Sequence, residues 1–280
     1  MKIGLVIFLT DYSIDVGVLA KRAEEMGFES LWLPEHPIIP VEFKTPVTFT
    51  ADNKLPKYYY DTVDPFVALG KAAGVTTTMK LATGVCLLPE RNPLLLAKEV
   101  ATLDLISGGR FLFGIGAGWL KEETEIMGGD FEHRWTQTKE SVMAMKELWG
   151  KTRSEHHGKY YNFPPVYSFP RPVQRPHPPI ILGGSAPRVI ERVVAWGDGW
   201  IPTQATPERI QEGREKIDRL AKATGRDPAS IELSAFWQPP DRDLIRRLEQ
   251  AGAVRVVIPL SSIPEKESLA QLDSIAKAVL

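Results

Sequence analysis

The sequence predicts an α/β fold of the (β/α)8 barrel class, and three observations carry that prediction. Short apolar runs alternate with segments of helical period from one end of the chain to the other, eight times over in 280 residues. That is the element count and length such a barrel needs. Asp, Asn, Pro or Gly stands at many of the junctions, where helix caps and tight turns use them. No apolar run approaches the roughly 18 residues that would suggest a membrane span. An open, doubly wound sheet shares the same alternation, and no internal repeat decides between the two. The eightfold count therefore rests on pattern, over a single domain spanning 1–280.

The units follow in order. Ile3–Leu9 is an apolar run, and Asp15–Met26 then puts Val16, Leu19, Ala20, Ala23 and Met26 on one face before Gly27 stops the helix. Ser30–Pro34 is the second strand, and Pro65–Gly74 the helix after it. Lys80–Leu88 is the third strand, with Pro93 in the first turn of a nearly all-apolar helix to Ile106. Phe111–Gly118 is the fourth, followed by the long helix Trp135–Trp149. Pro179–Leu182 with Pro187–Trp196 and Gly199–Pro202 with Pro207–Thr224 give units five and six. Ile231–Phe236 with Asp241–Ala251 and Val254–Leu260 with Glu265–Val279 complete eight.

Two insertions break the short-loop pattern. Pro37 to Asp64, after strand two, carries Phe43, Phe49 and Tyr58-Tyr59-Tyr60; Thr152 to Pro178, between strands four and five, is dense in aromatics and proline. Loops of this length are functional or disordered more often than idle. A βα loop opens on the C-terminal face where barrels do chemistry, so the first is expected to carry function. For the second, a functional role and a loop packed on the barrel or at a dimer contact stand equally open.

Composition narrows the partners. A 43% apolar and 25% charged chain with net charge −1 is an ordinary globular protein, with no electrostatic reason to bind nucleic acid or an anionic membrane. The opening MKIGLVIFLTDY lacks a cleavage site and reads as a strand, not a signal peptide. Cys86 stands alone, which excludes an intrachain disulfide and a Cys-rich zinc site. The expectation is a cytoplasmic protein without a metal.

The residues also narrow the chemistry. Lys2 and Lys80 lie at strand beginnings, the wrong end for a Schiff-base lysine. Five histidines, two of them adjacent in a loop, are too few for a metal-dependent hydrolase. Strands four and seven end in GAGW and SAFW, which offer no carboxylate pair for glycoside hydrolysis. A mouth rich in glycine and aromatics suits a cofactor that brings its own reactivity. GIGAG fails as a dinucleotide fingerprint, since the third glycine falls on Trp119 and the motif follows the fourth strand.

Several positions stand out as candidates. IILGGSAPRVIERVV runs a strand into Gly183-Gly184-Ser185 and on to a helix, either an anion cradle or a tight turn with Ser185 as helix cap. His36, in LWLPEHP, ends strand two and is placed to face the mouth. Gly84 interrupts strand three, and Gly114, Gly116 and Gly118 punctuate strand four. Each glycine marks either a bulge or a close approach of another group.

Four stretches taken together, NPLLLAKEVATLDLISGGRFLFGIGAGW, GKYYNF, PRPVQRPHPPIILGGSAP and AWGDGWIP, closely resemble the bacterial luciferase-like flavin and deazaflavin oxidoreductases, and within them the branch dependent on coenzyme F420. The resemblance runs in order across most of the chain. It implies a TIM barrel that holds F420, or alternatively FMN, at its C-terminal mouth and acts on a small organic substrate, as a homodimer. It implies a catalytic role for His36, beside the acidic Glu35, and a ring support at Gly84-Val85. Gly116 and Gly118 would let the backbone approach the ring, and Gly183, Gly184, Ser185 and Ala186 would cradle the cofactor phosphate. One departure matters. The deazaflavin sugar-phosphate dehydrogenases of this superfamily carry a catalytic Glu directly after the strand-four glycines, and Trp119 stands there instead. Hydride transfer with F420 or monooxygenation with reduced FMN follow from the resemblance. A barrel enzyme of another class, a silent flavin-binding protein and a purely structural subunit are the alternatives outside it.

Overall fold

Eight parallel strands close on themselves, with helices outside, in a computed structural model that describes residues 1–280. β1 (Lys2–Val6) leads to α1 (Val16–Met26), whose N-cap Asp15 accepts the N–H groups of Gly17 and Val18 and whose C-cap Gly27 sits at φ 96°. β2 (Ser30–Leu33) enters the first long insertion, which holds the short α2 (Lys57–Tyr60), and then α3 (Pro65–Val75), capped by Asp64. β3 (Lys80–Thr83) stops at Gly84 and resumes as β4 (Cys86–Leu87) before α4 (Pro93–Ile106), capped by Asn92. β5 (Phe111–Gly116) is followed by α5 (Lys121–Ile126) and α6 (Arg134–Gly150).

The second insertion is not irregular throughout. It contains an antiparallel hairpin, β6 (Ser154–His157) with β7 (Asn162–Val166). The barrel then continues through β8 (Ile180–Gly183), α7 (Val189–Trp196), β9 (Gly199–Ile201), α8 (Pro207–Ala223), β10 (Glu232–Phe236), α9 (Arg242–Gln250), β11 (Arg255–Pro259) and α10 (Glu265–Val279). β1 pairs with both β2 and β11, and β3 with β5, so the ring has no free edge. The closed barrel replaces the open sheet that periodicity alone allowed.

Several strand ends are shorter than the apolar runs suggest. β1 ends at Val6 although the apolar run reaches Leu9; Ile7 and Leu9 are buried in the larger core shared with the helices, while Phe8 packs against Tyr58 and Tyr59. β5 ends at Gly116, two residues before Gly118, which takes φ 79°. α7 begins at Val189, not Pro187, with Arg188 in the left-handed region at φ 65°.

Inside the barrel, Val6, Trp32, Ala82, Leu112, Ile181, Ile201 and Val257 form one apolar layer. A larger core of 58 buried residues reaches out to the helices and welds the two layers. The N-terminal end is closed by charge. Arg255, 1% exposed, is held by Glu29 at 2.8 Å, by Glu232 at 3.2 Å and by Ser234 at 3.1 Å. Those partners consume the guanidinium, so this end is sealed and function belongs to the other. No helix is long and apolar enough to cross a membrane.

Candidate active site

His36 follows the C-terminal end of β2 by three residues and turns into the mouth. Its Nδ1 lies 2.7 Å from Oε2 of Glu123 on α5, and the two side chains are only 6% and 1% exposed. Aromatic rings enclose it: Tyr59 at 5.0 Å between centroids and Trp119 edge-on at 6.1 Å. Phe49 stacks on Tyr59 and meets Trp119 edge-on, while Phe8 packs against Tyr58 and Tyr59 and, at 6.1 Å, Trp237. Burial pushes the Tyr59 hydroxyl well above its usual range, so it stays a neutral donor. Trp119 leads into α5, and Glu123, one helical turn later, supplies the carboxylate that strand four itself lacks.

The first insertion is tied to the same helix. Glu122 accepts the N–H groups of Lys44 and Thr45, at 2.6 and 3.2 Å, and the Thr45 hydroxyl at 2.7 Å. Adjacent residues of α5 thus hold the imidazole and the loop that covers it.

Glu35 faces away from the imidazole. It is 3% exposed and accepts the Leu87 N–H at 2.8 Å, while its second oxygen receives Arg91 at 2.7 Å. Burial works against the charge on Arg91, but Glu35 and Asp64 outweigh it and hold the guanidinium firmly cationic. In this arrangement Glu35 anchors β4 to β2; its carboxylate is spent on protein groups.

The strand glycines have internal causes. A Cβ on Gly114 would lie 2.0 Å from the Thr83 carbonyl oxygen. On Gly116 it would lie 2.6 Å from Val85 Cγ2, and on Gly183 it would lie 2.9 Å from Val85 Cγ1. Both glycines therefore make room for one branched side chain, which projects from the break between β3 and β4. Gly84 faces Phe236 at 2.8 Å and Trp32 at 3.3 Å, and the Gly84–Val85 peptide is cis. Gly118 faces Thr124 and Glu90 at 2.9 and 3.1 Å. Gly114, Gly116 and Gly183 thus have packing reasons of their own within the barrel.

Gly184 is different. It takes φ 98° with nothing within 4 Å of the position a Cβ would occupy. Its N–H, expected to point at an anion, is already donated to the Ile201 carbonyl at 2.8 Å. The Ser185 hydroxyl caps no helix either; it lies 2.7 Å from the Thr203 hydroxyl and accepts the Thr203 N–H at 3.2 Å. Beyond them opens a cavity of about 630 Å³ bordered by Ala186, Arg188, Gln204, Arg209 and Lys216. Lys216 is paired with Glu191, whereas Arg188 is exposed at the rim.

Sequence reasoning missed two acids, Glu123 and Glu90. Glu90 is 4% exposed; its Oε1 lies 2.9 Å from Thr124 Oγ1, and Oε2 has no partner. Burial first, then the neighbouring Glu123 charge, pushes Glu90 up to about 9. Glu123 Oε1 also lacks a partner. The available signal was the spacing of WLKEE, which sets Glu123 four residues after Trp119. No group of three or more His, Cys, Asp or Glu side chains is placed to hold a metal ion.

Comparison with known proteins places this geometry in context. Residues 15–239 match the family model "Luciferase-like monooxygenase". The chain is 34% identical over 281 residues to the uncharacterized protein Rv0953c of Mycobacterium tuberculosis, covering 99% of this chain and 98% of that one. It is 29% identical, over 91% of its length and 65% of the relative's, to an FMNH(2)-dependent dimethylsulfone monooxygenase of Pseudomonas putida. Among solved structures it superposes, with a TM-score of 0.72 and 20% identity, on the coenzyme F420 dependent tetrahydromethanopterin reductase of Methanopyrus kandleri, covering 100% of this chain and 99% of that one. A barrel of this connectivity, matched along its length by that model, identifies the chain as a member of the luciferase-like monooxygenase family.

Proposed function

We propose that this protein is an oxidoreductase that moves a hydride between deazaflavin coenzyme F420 and a small organic substrate, with His36 as its acid–base group. One observation carries the reading: a buried imidazole, fixed through Nδ1 by Glu123, with aromatic rings on its flanks at the C-terminal end of a barrel. A fixed Nδ1 leaves Nε2 as the ring nitrogen available to a reacting group.

The residues at β8 fit a phosphate-bearing cofactor. Gly184 presents side-chain-free backbone, the N–H groups of Ser185 and Ala186 follow it, and the Arg188 cation stands at the cavity rim. FMN and F420 both carry a phosphate on a ribityl chain, and the cofactor, when bound, supplies the hydride-carrying ring. The protein supplies the remainder. Val85, wedged between Gly116 and Gly183, gives the barrel wall a fixed apolar surface, and Phe49, Tyr59 and Trp119 exclude water from the imidazole. The relative named as FMNH(2)-dependent supports a second reading, monooxygenation with reduced FMN, at the same site.

Titration of the protein with F420 and with FMN, followed by reduction of a panel of small aldehydes, ketones and imines, tests the first reading. His36→Ala is expected to keep cofactor affinity within about threefold and lose about 10²- to 10⁴-fold in kcat, the range for a positioned acid–base group. Undiminished turnover in that variant refutes the role of His36. Binding of reduced FMN with oxygen consumption, and no binding of F420, selects the second reading.

A further inference from the structure

The rings around His36 do more than exclude water, because one of them carries a hydroxyl that the protein leaves unused. We propose that Tyr59 is a second catalytic residue of this site, its hydroxyl donating to the oxygen of an uncharged carbonyl substrate beside His36. The proposal rests on the reading of His36 as the acid–base group and adds to it a residue and a substrate class.

The rings form a closed box. His36 and Tyr59 stand 5.0 Å apart between centroids, Tyr59 and Phe49 5.6 Å, and Phe49 and Trp119 5.3 Å, and Trp119 returns to His36 at 6.1 Å. Tyr59 is held from several sides. Phe8 packs on it at 4.6 Å and Tyr58 at 5.3 Å. Its N–H donates to the Pro56 carbonyl at 3.0 Å, and just beyond α2 the Val63 N–H donates to the Leu9 carbonyl at 3.0 Å. The ring is therefore oriented before a ligand arrives.

Its hydroxyl is the free part. The hydroxyls of Tyr160 and Tyr161 are spent on Asp130 and Gln137, at 3.0 and 3.1 Å. That of Tyr59 bonds to no protein group, and it is not sealed among protein atoms although the ring is largely enclosed. Of the three consecutive tyrosines, Tyr59 is the one that packs on the imidazole. A neutral, preoriented donor in a water-poor site stabilises negative charge as it develops and needs no reorganisation to do so.

Charge sets the substrate class. The charged groups around the box are already paired: Glu123 with His36, Glu122 with Lys44 and Thr45, Lys121 with Glu125 and Glu132, and Lys57 with Asp61. A carboxylate or phosphate beside His36 would meet no free cation there, and Glu123 would repel it. A carbonyl oxygen has two lone pairs, one for His36 Nε2 and one for the Tyr59 hydroxyl. In the step, the carbonyl carbon takes the hydride that the reduced deazaflavin supplies, and the C=O π pair moves onto oxygen. The proton on His36 Nε2 passes to that oxygen to give the alcohol, and the cofactor is left oxidised by two electrons. Tyr59 keeps its own proton throughout and hydrogen-bonds the oxygen as its charge grows.

Binding is measured first on the protein without cofactor, where nothing turns over. Acetophenone and α-methylstyrene share a shape, and only the first carries an oxygen. Tryptophan fluorescence should show acetophenone bound more tightly by the wild type. Tyr59→Phe should cut that preference by about three- to tenfold, the worth of one hydrogen bond, and leave α-methylstyrene affinity unchanged. With F420 bound, the same variant should lower kcat for ketone reduction by about 10²-fold, raise KM by no more than the binding loss, and unfold at the wild-type temperature. An undiminished preference in Tyr59→Phe, or benzoate binding as tightly as acetophenone, overturns the proposal. Should Tyr59→Phe fail to fold, the wild type decides alone, since no preference for the ketone over its isostere refutes a free donor. Full turnover by His36→Ala would sink the functional reading yet leave the Tyr59 preference measurable, whereas an impaired His36→Ala beside an unaltered Tyr59→Phe sinks only the role of Tyr59.

Discussion

Replacing Glu90 with Gln isolates a pH-dependent cost that the fold carries. An exposed glutamate ionises near 4.5, whereas in the folded protein burial, reinforced by Glu123, pushes Glu90 up to about 9. Between those two values the folded protein keeps a proton that the unfolded chain has released. The native state therefore binds more protons, and its stability falls as pH rises, by about 1.4 kcal/mol per pH unit from this group. Between pH 5 and pH 8 the loss amounts to about 3–4 kcal/mol, a large share of the ~5–15 kcal/mol that holds a typical domain together. Gln preserves the shape and a hydrogen-bond donor but has nothing to titrate. Urea unfolding of both proteins at several pH values, followed by tryptophan fluorescence, gives the difference directly. Carboxylates such as Glu24, held down at about 2 by backbone N–H groups of Thr77, Thr78 and Met79 despite its burial, titrate alike in both proteins and cancel. Glu90→Gln should gain about 3–4 kcal/mol on the wild type between pH 5 and pH 8. Parallel stability curves would show that Glu90 is ionised in the folded state and refute the reasoning.

Other outcomes follow from the same geometry. Gly116→Ala should destabilise by about 1–3 kcal/mol through overpacking against Val85, and Val85→Ala in the same chain should recover much of that loss in a double-mutant cycle. Arg188→Glu should weaken FMN binding by about tenfold, roughly 1.4 kcal/mol, and riboflavin binding much less, by fluorescence titration. The charge is placed there because any side chain at Gly184 would add strain at φ 98°. Equal losses for both ligands would mean that Arg188 senses no phosphate. Glu122→Ala removes three hydrogen bonds from Lys44 and Thr45 and should speed limited proteolysis between Val41 and Pro56 severalfold; an unchanged rate would show that the insertion is held by its aromatics alone.

Local rules made the barrel legible. Asp15, Asp64 and Asn92 cap α1, α3 and α4 where a sequence reader places them, and α10 begins and ends as its apolar period requires. Errors cluster where packing overrides period. Ile7–Leu9 look like strand because they are apolar, yet Ile7 and Leu9 are apolar to fill the core shared with the helices and Phe8 to pack on Tyr58 and Tyr59. The break in Lys80–Leu88 was legible at Gly84, but nothing in the letters shows that Phe236 and Trp32 are what a side chain there would meet. His36 was found by its position at a strand end, but its partner lies 87 residues away, and a contact at that separation leaves no local pattern. The glycines were noticed, but sequence shows that a side chain is missing and never which neighbour packs against its place.

The packing around those glycines bears on how the mouth is built. One side, formed by β2, the β3–β4 break and β5, is packed before any ligand arrives. Val85 fills the space of two missing side chains, Glu35 is spent on Arg91 and Leu87, and Glu123 fixes His36. The other side, at Gly184 and Arg188, stays open. Under the proposed function, a rigid His36 would need no repositioning at the moment of reaction, and the open side would leave its final shape to the ligand. α5 links the first side to the covering loop, since Glu122 holds the loop and Glu123 the imidazole. A helix of six residues has little stiffness of its own, so whatever shifts the loop also shifts the carboxylate that fixes His36. The loop and the imidazole are thus both held by adjacent residues of one short helix.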